Sequence, residues 1–457
     1  MDIGTTLPIW SIIPFVGMLL SIAFFPLAKP EWWEKHQLHT AAFWSLVFLV
    51  PFTIFYGFGV SLEKLGEVVL LDYVPFIVLL LGLFTVAGGI HIAGAPVGTT
   101  RNNVITLALG TILASFVGTT GAAMLLIRPV LRSNAWRKYK THIVVFFIFL
   151  VANIGGCLTP LGDPPLFLGY LRGVPFFWTG QHIWPLLLIN AIILLAAFAV
   201  MDRHFVKKEG AEGVEALELQ RAASEKIKFK IEGAYNFIFL AIIIFAVIIK
   251  GIIAQTPSCL NEEGLVYGVT FGEEVHLGFD WLVQIVLILF AMFLSLKFTP
   301  KKLREDNEFE WEPIAEVARL FIGIFITMIP ALALLSANGS ELGVDTPLKF
   351  FWITGALSSF LDNSPTYVVF LTTAGALGAT SGVATTVGMV SETILLAISA
   401  GAVFMGAITY IGNAPNFMVN NISQSNGVKM PSFFGYMKWS LGILIPVFLI
   451  DTVLFFL

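Results

Sequence analysis

Two aspartates, Asp163 and Asp362, lie inside otherwise apolar stretches, each where glycine, proline and small polar residues interrupt the run. A charged side chain at the middle of a bilayer costs at least about 2.5–3.5 kcal/mol, so a functional role is the default reading. Desolvation disfavours the charged form, which lets a proton and a metal cation compete for the same oxygens. Hydroxyl and amide side chains stand nearby in sequence: Thr119 and Thr120 in Val-Gly-Thr-Thr-Gly (117–121), Asn153 and Thr159 ahead of Asp163, Asn363, Ser364 and Thr366 beside Asp362, and Thr409 and Asn413 in a fourth cluster. These are hard oxygen ligands, suited to Na⁺ and unlike the thiolate and imidazole sets of transition-metal centres. The expectation is one or two midplane sites where Na⁺ and H⁺ compete, with Asp163 and Asp362 as the proton-coupling groups. The plainer alternative for either aspartate is a cap on the helix that starts there.

The clusters must sit at breaks in helices. Glycine and proline within a span remove helical hydrogen bonds, and bare backbone in hydrocarbon costs several kcal/mol unless protein, water or an ion satisfies it. A half-helix ending at a break offers carbonyl oxygens to a cation, and one beginning after it offers N–H groups to an anion. The breaks also recur. Gly156-Cys157-Leu158-Thr159-Pro160-Leu161-Gly162-Asp163-Pro164-Pro165-Leu166-Phe167 shares the skeleton Gly-x-x-Thr-x-x-Gly-(Asp/Asn)-x-Pro-x-Phe with the segment 406–417, and Ser115-Phe116-Val117-Gly118-Thr119-Thr120 answers to Ser359-Phe360-Leu361-Asp362-Asn363-Ser364. Each half of the chain thus carries one hairpin tip and one broken helix.

Composition supplies the surroundings. With 57% hydrophobic and 12% charged residues over 457 positions, and a mean hydropathy of +0.86, a water-soluble globular chain is excluded. A formal charge of −4 removes a nucleic-acid footprint. Cys157 and Cys259 lie in such different contexts that a disulfide or thiolate metal site is not expected. No phosphate-cradling Gly-rich loop, His-rich cluster or nucleophile elbow occurs, so the sequence points away from an enzyme and from any bound cofactor other than Na⁺ as coupling or transported ion.

Runs able to cross about 30 Å of hydrocarbon fall at 8–28, 41–59, 69–91, 141–171, 182–201, 233–250, 280–298, 314–336, 390–420 and 433–456. The first has no basic segment before it and reads as a retained helix rather than a cleaved signal. Stretches 103–131 and 346–373, interrupted by the polar tips, read as re-entrant hairpins. Basic residues decide sidedness: Arg101 and Arg128, Arg132, Arg137, Lys138 and Lys140 flank the first hairpin, and 202–232 and 297–304 are rich in Lys and Arg, so these face the cytoplasm. The segment 251–279 lacks Lys and Arg, carries Glu262, Glu263, Glu273 and Glu274, and is expected outside. The fold expected is an all-α integral membrane protein of two inverted repeats, each of about five transmembrane helices plus one re-entrant hairpin, with broken helices. The linker 202–232 is expected to be a surface helix between the halves.

At these residues the chain resembles the ion transporter superfamily, which includes divalent anion/sodium symporters, arsenite permeases, citrate transporters and NhaD-type sodium/proton antiporters. The resemblance covers nearly the whole chain. Gly118-Thr119-Thr120-Gly121-Ala122-Ala123-Met124 and Asp362-Asn363-Ser364-Pro365-Thr366 resemble the symporters' hairpin tips, though neither is a strict Ser-Asn-Thr. Asn153 to Asp163 resembles more closely the antiporters' glycine-rich break ending in Pro-x-Gly-Asp. The resemblance implies a scaffold formed by 1–100 and 233–344, a moving transport domain formed by 101–201 and 345–457, elevator-type alternation, a homodimer and a bacterial cell membrane. Secondary active transport by sodium/proton antiport is the leading expectation. Sodium-coupled symport of citrate or another di- or tricarboxylate is the alternative, since Thr119, Thr120, Ser364 and Thr366 can also bind carboxylate oxygens.

Overall fold

The computed structural model describes residues 3–94, 96–224, 230–262, 264–272 and 275–457. Glu263, Glu273 and Glu274 of the expected outer segment, and linker residues 225–229 with Lys226 and Lys228, lie outside the described residues. Helix dominates. Among the described residues, nine helices are long and apolar enough to cross a membrane: Ile9–Pro26, Pro30–Tyr56, Phe58–Ala87, Thr141–Leu158, Trp178–Ala222, Asn236–Gln255, Phe279–Phe298, Glu312–Leu342 and Phe433–Phe456. The second starts well before the apolar run expected at 41–59, because Pro30 occupies a first-turn position where its missing N–H costs nothing. It ends at Gly57, whose φ of 87° turns the chain into the third helix.

Two helical hairpins interrupt this series. Thr100–Val117 and Thr119–Ser133 form the first, and Pro347–Ser358 and Asn363–Gly375 the second. The base of the first is closed by mutual amide hydrogen bonds between Asn103 and Asn134, both 2.9 Å. Each hairpin is followed by a broken helix: Thr141–Leu150, the 3₁₀ turn Ile154–Leu158 and Pro164–Leu171, then Glu392–Met405, the 3₁₀ turn Gly406–Ile408 and Ala414–Ser425. The run expected to cross at 390–420 is therefore two half-helices, because the Gly-Asn-Ala-Pro segment after Thr409 cannot continue the first. Thr141–Leu158 is 89% buried, against 22% of Asn236–Gln255, so the first broken helix runs through the centre.

Buried polar side chains tie the elements together. Arg137 is buried and paired with Asp202 at 2.5 Å, and Asp202 also lies 2.7 Å from His142 Nε2. The Asn190 amide donates to both carboxylate oxygens of Asp451 at 2.9 and 2.8 Å, joining the last helices of the two halves. The helix expected in the linker exists as far as Ser224, but it is the continuation of the preceding span, Trp178–Ser224, bent at Gly210. At the end of the linker, Lys230–Glu232 pairs antiparallel with His91–Ala93.

Candidate functional site

The first hairpin reverses at Gly118, whose φ of 81° suits glycine alone, and a new helix begins at Thr119. The Thr119 backbone N–H has no acceptor within its own helix and donates to the Gly162 carbonyl at 2.8 Å, docking the hairpin tip on the first break. That contact aims the Thr119 hydroxyl at Asp163 Oδ1, to which it donates at 3.0 Å. Asp163 precedes the half-helix Pro164–Leu171 in extended conformation yet makes no capping bond to it, so the cap reading fails for this residue. Its carboxylate instead accepts from Asn363 Nδ2 at the second hairpin tip, 2.7 Å from Oδ2, and from Asn413 Nδ2 at the second break, 3.2 Å from Oδ1. Two hairpin tips and two helix breaks meet at one carboxylate.

The three side chains that donate to that carboxylate are neutral. Asp163, Thr119, Asn153, Asn363, Asn413 and Asn416 are all buried. Among the described residues no Lys, Arg or His pairs with Asp163. Asn153 stands behind Asn413: its Oδ1 accepts from Asn413 Nδ2 at 3.4 Å, and its Nδ2 donates to Ile148 O at 2.8 Å and to Asn416 Oδ1 at 2.6 Å. Glycines make this closeness possible. A Cβ on Gly156 would stand 2.6 Å from Thr119 Cγ2 and 2.9 Å from Gly162 O, and one on Gly412 would stand 2.6 Å from Gly406 O.

The remaining expected residues stand around this centre rather than in it. Thr159 and Thr409 donate their hydroxyls to backbone carbonyls of the hairpins, Ser115 O and Ser359 O respectively. Both hydroxyls also accept from the loop that follows them, Thr159 from Leu161 N at 3.1 Å and Thr409 from Gly412 N at 3.1 Å. Asp362 does cap a helix: its Oδ1 accepts from Ser364 N at 2.9 Å at the start of Asn363–Gly375. Thr366 donates back to Asp362 O at 2.9 Å, and the Ser364 hydroxyl lies 3.4 Å from Asn363 Oδ1. Thr120 is half-buried one residue beyond Thr119.

Sequence reasoning did not single out Asn416, whose Nδ2 donates to Gly406 O at 2.8 Å and Thr409 O at 3.0 Å, two carbonyls freed by the second break. Its place in the repeat is taken by Leu166 in the first half, so the alignment hides it. Its half-helix, Ala414–Ser425, also carries Asn420, Asn421 and Gln424, so the amide alone gave no signal. Ser115 and Ser359 stood at matched tip positions, and their hydroxyls pin the hairpins to the breaks, Ser115 to Gly155 O at 2.5 Å and Ser359 to Met405 O at 3.0 Å.

At the far end of the half-helix Pro164–Leu171, Arg172 holds Asp72 of the third span through two bonds of 3.1 Å. Comparison with curated proteins gives no match. The model of a family described as "Putative citrate transport" matches residues 4–456, nearly the whole chain. With that match and the nine apolar helices, the chain belongs to this citrate-transport family and is an integral, multi-pass membrane transporter of the secondary type, not an enzyme.

Proposed function

We propose that the chain exchanges Na⁺ for H⁺ at Asp163 by alternating access. The reading is carried by one observation: a fully buried carboxylate served by three neutral donors from both hairpins and the second break, with no basic partner among the described residues. A bare charge there is costly, whereas a carboxylic acid or a cation-bound carboxylate is stable. Asn363 and Asn413 each carry a carbonyl oxygen beside the nitrogen that now faces Asp163. Half a turn of either amide presents that oxygen, so Asp163, Thr119, Asn363 and Asn413 can surround Na⁺ with hard ligands. A proton on Asp163 removes the charge that holds Na⁺, and competition for one carboxylate gives exchange without further machinery. Asp362, one residue from Asn363, is the second proton-coupling candidate.

The succession of three spans, a hairpin, a broken helix and a last span occurs in 3–224 and again in 236–457, which supports the inverted repeat. On this reading 101–201 and 345–457 move as a transport domain against the scaffold 1–100 and 233–344 of a homodimer, and the Asp72–Arg172 pair bridges the two.

A second reading, sodium-coupled uptake of citrate or a related carboxylate, is favoured by the family description and by the helix N-termini at Thr119 and Asn363, which suit an anion. Purified protein in liposomes with a trapped pH dye separates the two. Na⁺ is added outside alone and, in parallel, with labelled citrate. Proton movement driven by Na⁺ alone supports exchange. Labelled citrate accumulation that requires Na⁺, without proton movement from Na⁺ alone, overturns it.

A further inference from the structure

We propose that a groove between the helices Thr100–Val117 and Trp178–Ser224, away from the ion site, binds an anionic phospholipid by its phosphate. The groove encloses about 650 Å³, and Arg101, Arg203, Trp136, Val104, Ile105 and Ala199 are among its lining residues. No Asp or Glu lines it among the described residues. Arg137 also reaches it, but its guanidinium is committed to Asp202 and to Gly98 O. Arg101 and Arg203 are exposed and have no carboxylate partner among the described residues, so two like charges line one cavity. An anion placed there relieves the repulsion. The Trp136 indole N–H, on a third wall, finds no acceptor among the described residues.

What selects a lipid over a free phosphate is the surface leading away from the arginines. Ile105, Leu109 and Ile112, which are 45, 62 and 55% exposed, follow Arg101 on one face of its helix at spacings of four, eight and eleven residues. On the neighbouring helix Val200 and Ile192, 71 and 58% exposed, precede Arg203. Both apolar stripes run from an arginine toward the middle of the span, so a headgroup held by the pair lays its acyl chains along them.

Native mass spectrometry of the full chain released from detergent tests this, with phosphatidylglycerol, phosphatidylcholine and glycerol phosphate as probes. Phosphatidylglycerol is expected to be retained over phosphatidylcholine, and retention to fall about fivefold for each arginine removed in Arg101→Gln and Arg203→Gln. The same loss of charge in Lys301→Gln/Lys302→Gln, at exposed sites elsewhere, leaves retention unchanged. Equal retention of both lipids, or an equal loss in the lysine variant, overturns the site. Displacement of phosphatidylglycerol by equimolar glycerol phosphate overturns the lipid as its occupant.

Discussion

Asp163 is reached by Thr119, Asn363 and Asn413, and these four side chains divide the work differently. Asp163→Asn keeps the volume and removes the ionisable oxygen. Na⁺-driven proton flux should then fall to the background of empty liposomes while the protein elutes as before on size exclusion, and unchanged flux would take Asp163 out of the mechanism. Asn413→Ala and Asn363→Ala leave the carboxylate but delete one ligand each. Losing one partner of a buried polar group costs about 1–3 kcal/mol, so the Na⁺ concentration for half-maximal flux should rise roughly tenfold in either. Gly156→Ala puts a methyl group among Thr119 Cγ2, Gly162 O and Asp163 Cβ. Overpacking of this kind costs about 1–3 kcal/mol, so a lower unfolding temperature should accompany the lost flux.

At the scale of elements, the hairpins are held to the breaks by hydroxyls that bond backbone, Thr159 to Ser115 O and Thr409 to Ser359 O. Thr159→Val and Thr409→Val should each destabilise the detergent-solubilised protein by about 1–3 kcal/mol, read as the shift in a thermal or denaturant unfolding curve. A variant as stable as the parent would mean that the tip is docked by packing alone. These threonines also show how far the sequence reaches. Their recurrence in a shared skeleton marked them as belonging to the breaks, but spacing alone does not say whether a hydroxyl faces the ion or the neighbouring backbone. The hairpins, the breaks and the polar residues of the centre were legible, because glycine, proline and oxygen side chains are costly inside an apolar run unless the helix ends there or a ligand binds. The different surroundings of Asp163 and Asp362 were not, since they depend on which way each chain enters its helix. Asn416 escaped because it has no counterpart in the other half.

For the molecule as a whole, the proposed competition at one carboxylate fixes the sign of the pH dependence expected. Protons displace Na⁺, so apparent Na⁺ affinity should weaken on acidification, approaching about tenfold per pH unit once the proton-bound form dominates. A flat profile would separate the two ions. Relative motion of the proposed domains is open to a cross-link at the Asp72–Arg172 pair, now joined by bonds of 3.1 Å. Asp72→Cys/Arg172→Cys joined by a bifunctional thiosulfonate cross-linker long enough to replace the arginine side chain should lose transport and regain it on reduction, and undiminished transport while cross-linked would mean that this contact does not open. The assembly of the centre from Thr119, Asp163, Asn363 and Asn413 has a consequence for the growing chain as well. The carboxylate is synthesised some 250 residues before Asn413, the last of its donors, so a partly made protein already in the membrane holds Asp163 without the amides that complete the binding centre. On the proposed function, the ion site is complete only once residue 413 of 457 has been made, so a product interrupted earlier lacks part of the donor set around Asp163.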